Sequence, residues 1–130
     1  MIPDTTFLID IMDSDEKAVQ KLHELIRRGE TQIVTSISLF ELFSGLSRSK
    51  KPTEERRKVL EVLRDLLSVT FDPAAAEKAG EIDGQLIREG KMIGPNDSMI
   101  AGIALVKKEK ILTRNIKDFS KIAGLDVETY

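Results

Sequence analysis

The chain contains no cysteine and a single histidine. The first absence excludes disulfides, thiolate zinc sites and a cysteine nucleophile. The second excludes a histidine-rich zinc site and leaves a serine–histidine–aspartate triad only one possible base, His23. Tryptophan is absent, there is one tyrosine, and aromatic residues make up 5% of the chain. A platform that stacks single-stranded bases needs more. No apolar run approaches the roughly 20 residues of a membrane span. The N-terminus has neither the basic region nor the long apolar stretch of a secretory signal. A cytoplasmic protein that engages no membrane is therefore expected. Charge of one sign is also scarce: 20 Lys and Arg oppose 22 Asp and Glu, for a net charge of −2. Any phosphate-binding surface must be a local patch. Basic runs exist at Arg27-Arg28, Arg48 through Lys51, Arg56 to Lys58, and Lys107-Lys108 with Lys110. Taken singly, each reads as a solvated helix face or end.

What is present suits one domain spanning residues 1–130 around one core, because 41% of the residues are hydrophobic and 32% charged. Met1 to Asp4 reads as a short buried strand that turns at Asp4-Thr5. Asp13 or Ser14 caps a helix running to Arg28, with Gly29 at its end. Gln32 to Ile37 is rich in β-branched residues and reads as a strand. Ser38 then caps a helix whose Phe40, Phe43 and Leu46 are assigned to the core. A basic linker, Ser47 to Pro52, precedes a helix capped by Thr53. Ser68 to Phe71 is a strand, and Pro73 opens a helix that Gly90 closes. Asn96 or Asp97 starts a helix through Lys107, and Lys110 to Thr113 is a strand. A short turn or helix holds Asp118 and Phe119, and Leu125 to Thr129 is the last strand. Strand and helix alternate, which predicts an α/β fold: a parallel sheet of about five strands with helices on both faces.

Four acids stand where an apolar run meets a polar turn or a helix start: Asp4, Glu41, Asp97 and Asp118. In an open α/β fold, ligands bind at such strand ends. Gathered together, these carboxylates repel one another unless a cation neutralises them, and hard divalent cations take carboxylate oxygens. Glu41 is the hardest to explain otherwise. Phe40, Leu42 and Phe43 surround it in sequence, and a buried carboxylate without partners is costly. Asp4 can also be read as a helix cap, and Asp97 shares that role with Asn96. Asp118 alone would pass for a solvated acid, but Thr113 and Asn115 lie just before it.

The sequence resembles the PIN-domain ribonucleases, most of all the VapC toxins of VapBC toxin–antitoxin pairs. The residues carrying the resemblance are Asp4-Thr5 with Phe7-Leu8-Ile9, then Glu41-Leu42, then Asn96-Asp97 with Ile100-Ala101. Thr113-Arg114-Asn115 with Asp118-Phe119 completes the set. They span nearly the whole chain in the family's order. The resemblance implies a parallel sheet that brings the four acids together, and hydrolysis of RNA with Mg²⁺ or Mn²⁺. It matches Asp4, Glu41 and Asp97 to the three core acids and Asp118 to a more variable fourth, a place that some members fill nearer the strand, where this chain has Asn115. Thr113 matches a small hydroxyl position beside the acids, and Thr5 is a further supporting polar group. It also implies a homodimer and a VapB-like antitoxin.

Two further readings share the fold: a nuclease of RNA processing or decay, and a module that binds RNA or protein without cutting. Phosphotransfer proteins fit poorly. A haloacid-dehalogenase-type phosphatase would place an Asp where Thr6 stands, and a receiver domain would end the strand at Gln32 to Ile37 in an acid.

Overall fold

The computed structural model describes all 130 residues. Every strand is short and parallel to its neighbours. Strand β1 (Ile2–Pro3) leads directly into α1 (Thr5–Met12), and α2 (Glu16–Arg27) follows. Then come β2 (Ile33–Thr35), α3 (Ser36–Ser47), α4 (Pro52–Leu63) and β3 (Leu67–Val69). The chain continues through α5 (Pro73–Arg88), α6 (Pro95–Lys107), β4 (Ile111–Leu112), α7 (Ile116–Phe119) and β5 (Val127–Glu128).

The ladders are β1-β4-β5 and β2-β3, all parallel. Two bonds tie the two pieces together: the Ile33 amide donates to the Met1 carbonyl at 2.9 Å, and the Met1 amino group donates to the Thr31 carbonyl at 3.0 Å. The spatial order is thus β3-β2-β1-β4-β5. The chain builds outward from β1 on one side and then jumps to β4 on the other. The order reverses between β1 and β4, and the carboxyl ends of those strands flank the crevice where an open parallel sheet binds ligands.

Local chemistry explains most boundaries. Asp4 caps α1 by accepting from the Phe7 amide, Asp15 caps α2, Thr35 caps α3 and Asp72 caps α5. Pro52, Pro73 and Pro95 sit in the first turns of α4, α5 and α6, where no amide is needed. Gly29 and Gly90 take φ values of 70° and 68° just past helix ends. The largest core cluster joins Ile2 and Ile111 of the sheet to Ile82, Ile100, Ile103 and Phe119 of the helices. Helix α6 presses closest on α5 at Gly102. A Cβ there would stand 2.7 Å from the Ala79 Cβ and 2.8 Å from the Ala75 carbonyl. No helix is long and apolar enough to cross a membrane.

Several expectations need correction. A helix, α1, occupies the stretch read as a turn after Asp4, so the first helical region is two helices, capped by Asp4 and Asp15. Helix α3 begins at Ser36 behind Thr35, two residues before the expected cap Ser38. Thr53 does not cap α4, because Pro52 already opens it. Phe40 and Phe43 are not core: they are 66% and 37% exposed. Helix α3 turns Leu42 inward instead, and it is only 4% exposed.

Candidate active site

Asp4 leaves the end of β1, where its amide donates to the Leu112 carbonyl of β4 at 2.9 Å. Its carboxylate is buried and held at both oxygens. Oδ1 accepts from the Phe7 amide at 2.9 Å, and Oδ2 accepts from the Thr113 hydroxyl at 2.5 Å. Thr113, fully buried just past β4, accepts in turn from the Asn115 amide at 2.8 Å. One acid therefore caps a helix and also stands among the candidate site carboxylates. Burial pushes its pKa up, with Asp10 and Glu41 adding to the shift, while Thr113 and Phe7 pull it down.

Glu41 lies in α3, which follows β2. A relay of hydroxyls fixes it. The Thr5 hydroxyl donates to Glu41 Oε1 at 2.7 Å, so the Ser38 hydroxyl, 2.9 Å away, must donate to Thr5. Thr35 donates to Ser38 in the same chain at 3.5 Å. Glu41 is thus half-buried beside α1 and accounted for by hydroxyls, while the phenylalanines near it in sequence point outward.

Asp97 stands in the first turn of α6 and is not the cap, which is Gly94. No hydrogen bond offsets its situation. Burial first, then the charges of Asp4, Glu41 and Asp118, push its pKa to about 6. Asp118 behaves oppositely. Asn115 Nδ2 donates to its Oδ2 at 2.9 Å and Lys121 Nζ lies 3.3 Å from Oδ1, which holds the carboxyl below the usual range. Asn115 also caps α7 by accepting from the Asp118 amide. Asn115 and Asp118 are therefore one reciprocal pair, in which Asp118 supplies the charge felt at Asp97.

The four acids come from β1, α3, α6 and α7 and share one electrostatic neighbourhood at the carboxyl ends of the strands. As they stand, no three acidic or histidine side chains converge closely enough to share one ion. Their hydrogen bonds hold Asp4, Glu41 and Asp118 apart, as like charges require. The donor chemistry fits a hard divalent cation all the same. All the candidate ligands are carboxylates, and Asp97 carries an uncompensated repulsion that a cation would remove. Of the four, only Asp97 has no hydrogen bond to hold its side chain, so it is the carboxylate freest to turn toward a cation.

The PIN-domain family model matches residues 1–125 of this chain. The chain belongs to the PIN-domain family. Among its relatives is the ribonuclease VapC2 of Rickettsia felis, 34% identical over 107 residues, covering 82% of this chain and 80% of that protein. The tRNA(fMet)-specific endonuclease VapC of Shigella flexneri is 36% identical over 98 residues, covering 75% of this chain and 74% of that protein. The fold is also that of VapC in the structure of VapBC2 from Rickettsia felis bound to promoter DNA. That match has a TM-score of 0.91 at 28% identity and covers 99% of this chain and 97% of the other. DNA-bound VapBC from Salmonella typhimurium matches with a TM-score of 0.86 at 29% identity, covering 98% and 96%.

This PIN domain also has site neighbours that its sequence did not disclose. Ser38 links α1 to α3 through Thr5. Asp10, six residues or about 1.7 turns along α1 from the cap, adds to the charge around Asp4. Tyr130 donates to Asp10 at 2.6 Å, and burial and that bond raise its pKa, so the phenol stays protonated. No motif joins position 10 to position 130. The link exists only because β5 runs beside β4.

Proposed function

We propose that this PIN domain is an endoribonuclease, dependent on Mg²⁺ or Mn²⁺, that acts as the toxin of a VapBC-type pair in the cytoplasm. The observation that carries the reading is Asp97: it stands without a hydrogen bond at the sheet's switch point, where burial first, and then the charges of Asp4, Glu41 and Asp118, push its pKa to about 6. A binding module that only held RNA would gain nothing from setting these charges against phosphate. The related enzymes named as ribonuclease and tRNA(fMet)-specific endonuclease make tRNA the first substrate to try.

Each residue has a distinct task. Thr113 and the Phe7 amide hold the Asp4 carboxylate in one orientation, and Thr5 does the same for Glu41. Asp97 supplies a carboxylate unhindered by other bonds. A divalent cation held among Asp4, Glu41 and Asp97 would lower the pKa of water and offset charge on the phosphate. Asp118, kept ionised by Asn115 and Lys121, orients the attacking water. His23 is exposed on α2 and contacts none of these acids. The ribose 2′-hydroxyl route needs a positioned base, most often histidine, and no histidine is placed to serve it.

A VapB-like antitoxin is the protein partner, as in the matched VapBC complexes. A cleft of about 710 Å³ beside α1, α2 and α4 offers it Ile11, Met12, Leu22, Ile26, Val62 and Leu66. Gln32 also lines this cleft, and its carboxamide has no hydrogen-bond partner. The exposed Phe40 and Phe43 on α3 provide apolar surface for a homodimer.

Incubating tRNA with the purified protein in Mg²⁺ and sequencing the ends by mass spectrometry tests the reading. Discrete fragments with 5′-phosphate and 3′-hydroxyl ends are expected. Intact RNA would contradict the nuclease assignment, and 2′,3′-cyclic phosphate ends would contradict attack by water.

A further inference from the structure

Beside the acids lies an arrangement that the proposed chemistry leaves unused. Arg114 follows Thr113, whose hydroxyl binds Asp4. Its guanidinium is fixed on two sides. Nη2 stands 3.2 Å from Asp10 Oδ2 and 3.4 Å from Oδ1, and the guanidinium carbon lies 5.8 Å from the centre of the Tyr130 ring. Both anchors are themselves held. The Tyr130 hydroxyl donates to the same Asp10 oxygen at 2.6 Å, and the Tyr130 ring meets buried Phe7 edge-on at a centroid distance of 4.8 Å.

Only Nη2 is engaged. Nη1 and Nε donate to nothing in the protein, and the side chain is 50% exposed. Tyr130 and Asp10 meet for reasons of packing and a part-buried hydrogen bond, but an ion pair as open as that of Arg114 contributes little stability, so fold stability does not explain why the guanidinium is held here. The arrangement does what a phosphate receptor requires. It immobilises one edge of a planar fork and leaves the remaining donors facing solvent, in the geometry that phosphate oxygens accept. It also sets a fixed positive charge next to carboxylates that would otherwise repel an incoming phosphodiester. Of the nearby lysines, Lys121 is already tied to Asp118.

We propose that Arg114 binds a backbone phosphate of the RNA next to the one that is cut, and that Asp10 and Tyr130 are positioning residues that aim its guanidinium. The identity of the neighbouring cut site rests on the nuclease reading above; the phosphate contact itself does not.

Binding of a fluorescently labelled tRNA transcript to the Asp97→Asn protein, read by anisotropy across a salt series, tests the contact. Adding Arg114→Ala should weaken binding about tenfold or more, as loss of a charge-assisted hydrogen bond does. It should also flatten the slope of log K against log salt by about 0.7 to 0.9, the value of one lost phosphate contact. Arg114→Lys should keep the slope but recover only part of the affinity, because it restores the charge without the fork. In the otherwise intact protein, Tyr130→Leu should raise KM while kcat stays within about twofold. Unchanged affinity and slope in both Arg114 variants would overturn the proposal, as would a fall in kcat at constant KM. A chain that cuts no RNA yet shows the slope change would remove the nuclease reading and leave the phosphate site standing.

Discussion

Asp97 is the residue on which the site's electrostatics converge, and its raised pKa fixes a sign. With a folded-state value near 6 against an ordinary 3.8, the folded protein holds more protons than the unfolded chain across that window. The stability of the cation-free protein must therefore fall as pH rises from about 4 to about 6. Burial raises Asp4 in the same direction. Asp97→Asn should remove most of this fall, leaving the variant more stable than the native chain at pH 7 in EDTA by about 1–3 kcal/mol. Urea unfolding at pH 4 and pH 7 reads both arms. A variant less stable than the native chain at pH 7 would mean that Asp97 is a structural partner. The Asn115–Asp118 pair gives a second residue-scale prediction. Asp118→Asn should slow RNA cleavage less than Asp97→Asn does, and Asn115→Ala less again, because Asn115 acts by holding Asp118. Initial rates rank the three. A dead Asn115 variant beside an active Asp118 variant would reverse the roles. Asp4 and Asp97 were legible in sequence because each follows or opens an apolar element at its edge, Glu41 because it interrupts the apolar run of mid-helix α3, and Asp118 only through the Thr113 and Asn115 before it. Asp10 and Tyr130 were not, since neither belongs to such a pattern.

At the scale of elements, α6 carries Asp97, and its position depends on how closely it packs against α5. Gly102 permits that approach, and its neighbours are a backbone carbonyl and a fixed methyl, neither of which can swing aside. Gly102→Ala should therefore cost about 1–3 kcal/mol through overpacking, and should lower cleavage as well by displacing the first turn of α6. Thermal unfolding and initial rates measure the two effects; a neutral or stabilising substitution would show that α6 shifts freely. Helix α5 was readable from Pro73 and Gly90, and β2 from its β-branched residues. Helix α1 was hidden because Asp4 ends a strand and caps a helix at once, so no linker separates the two. Phe40 and Phe43 were placed in the core because an apolar side chain reads alike whether it faces the interior or a partner. The strands came out shorter than their apolar runs, for the ladder closes only over two or three residues in each.

Across the whole molecule, a strand order that reverses between β1 and β4 gathers acids separated by more than a hundred residues of chain, Asp4 and Asp118 among them. The alternation of elements announced that sheet, but the meeting of side chains required register and helix rotation that no local pattern encodes. The resulting cluster costs stability when empty, so cation binding should return it. Saturating Mg²⁺ at a hundredfold excess over Kd should add about 2.7 kcal/mol. The central claim is that these carboxylates hold the cation with which RNA is cut. The most direct test is the initial rate of tRNA cleavage against Mg²⁺ concentration for the native chain and the folded Asp97→Asn variant, with an EDTA-treated control. The account predicts a saturable rise for the native chain, none in EDTA, and none for the variant at any concentration. Equal cleavage in EDTA, or a variant that cuts as fast as the native chain, would contradict it.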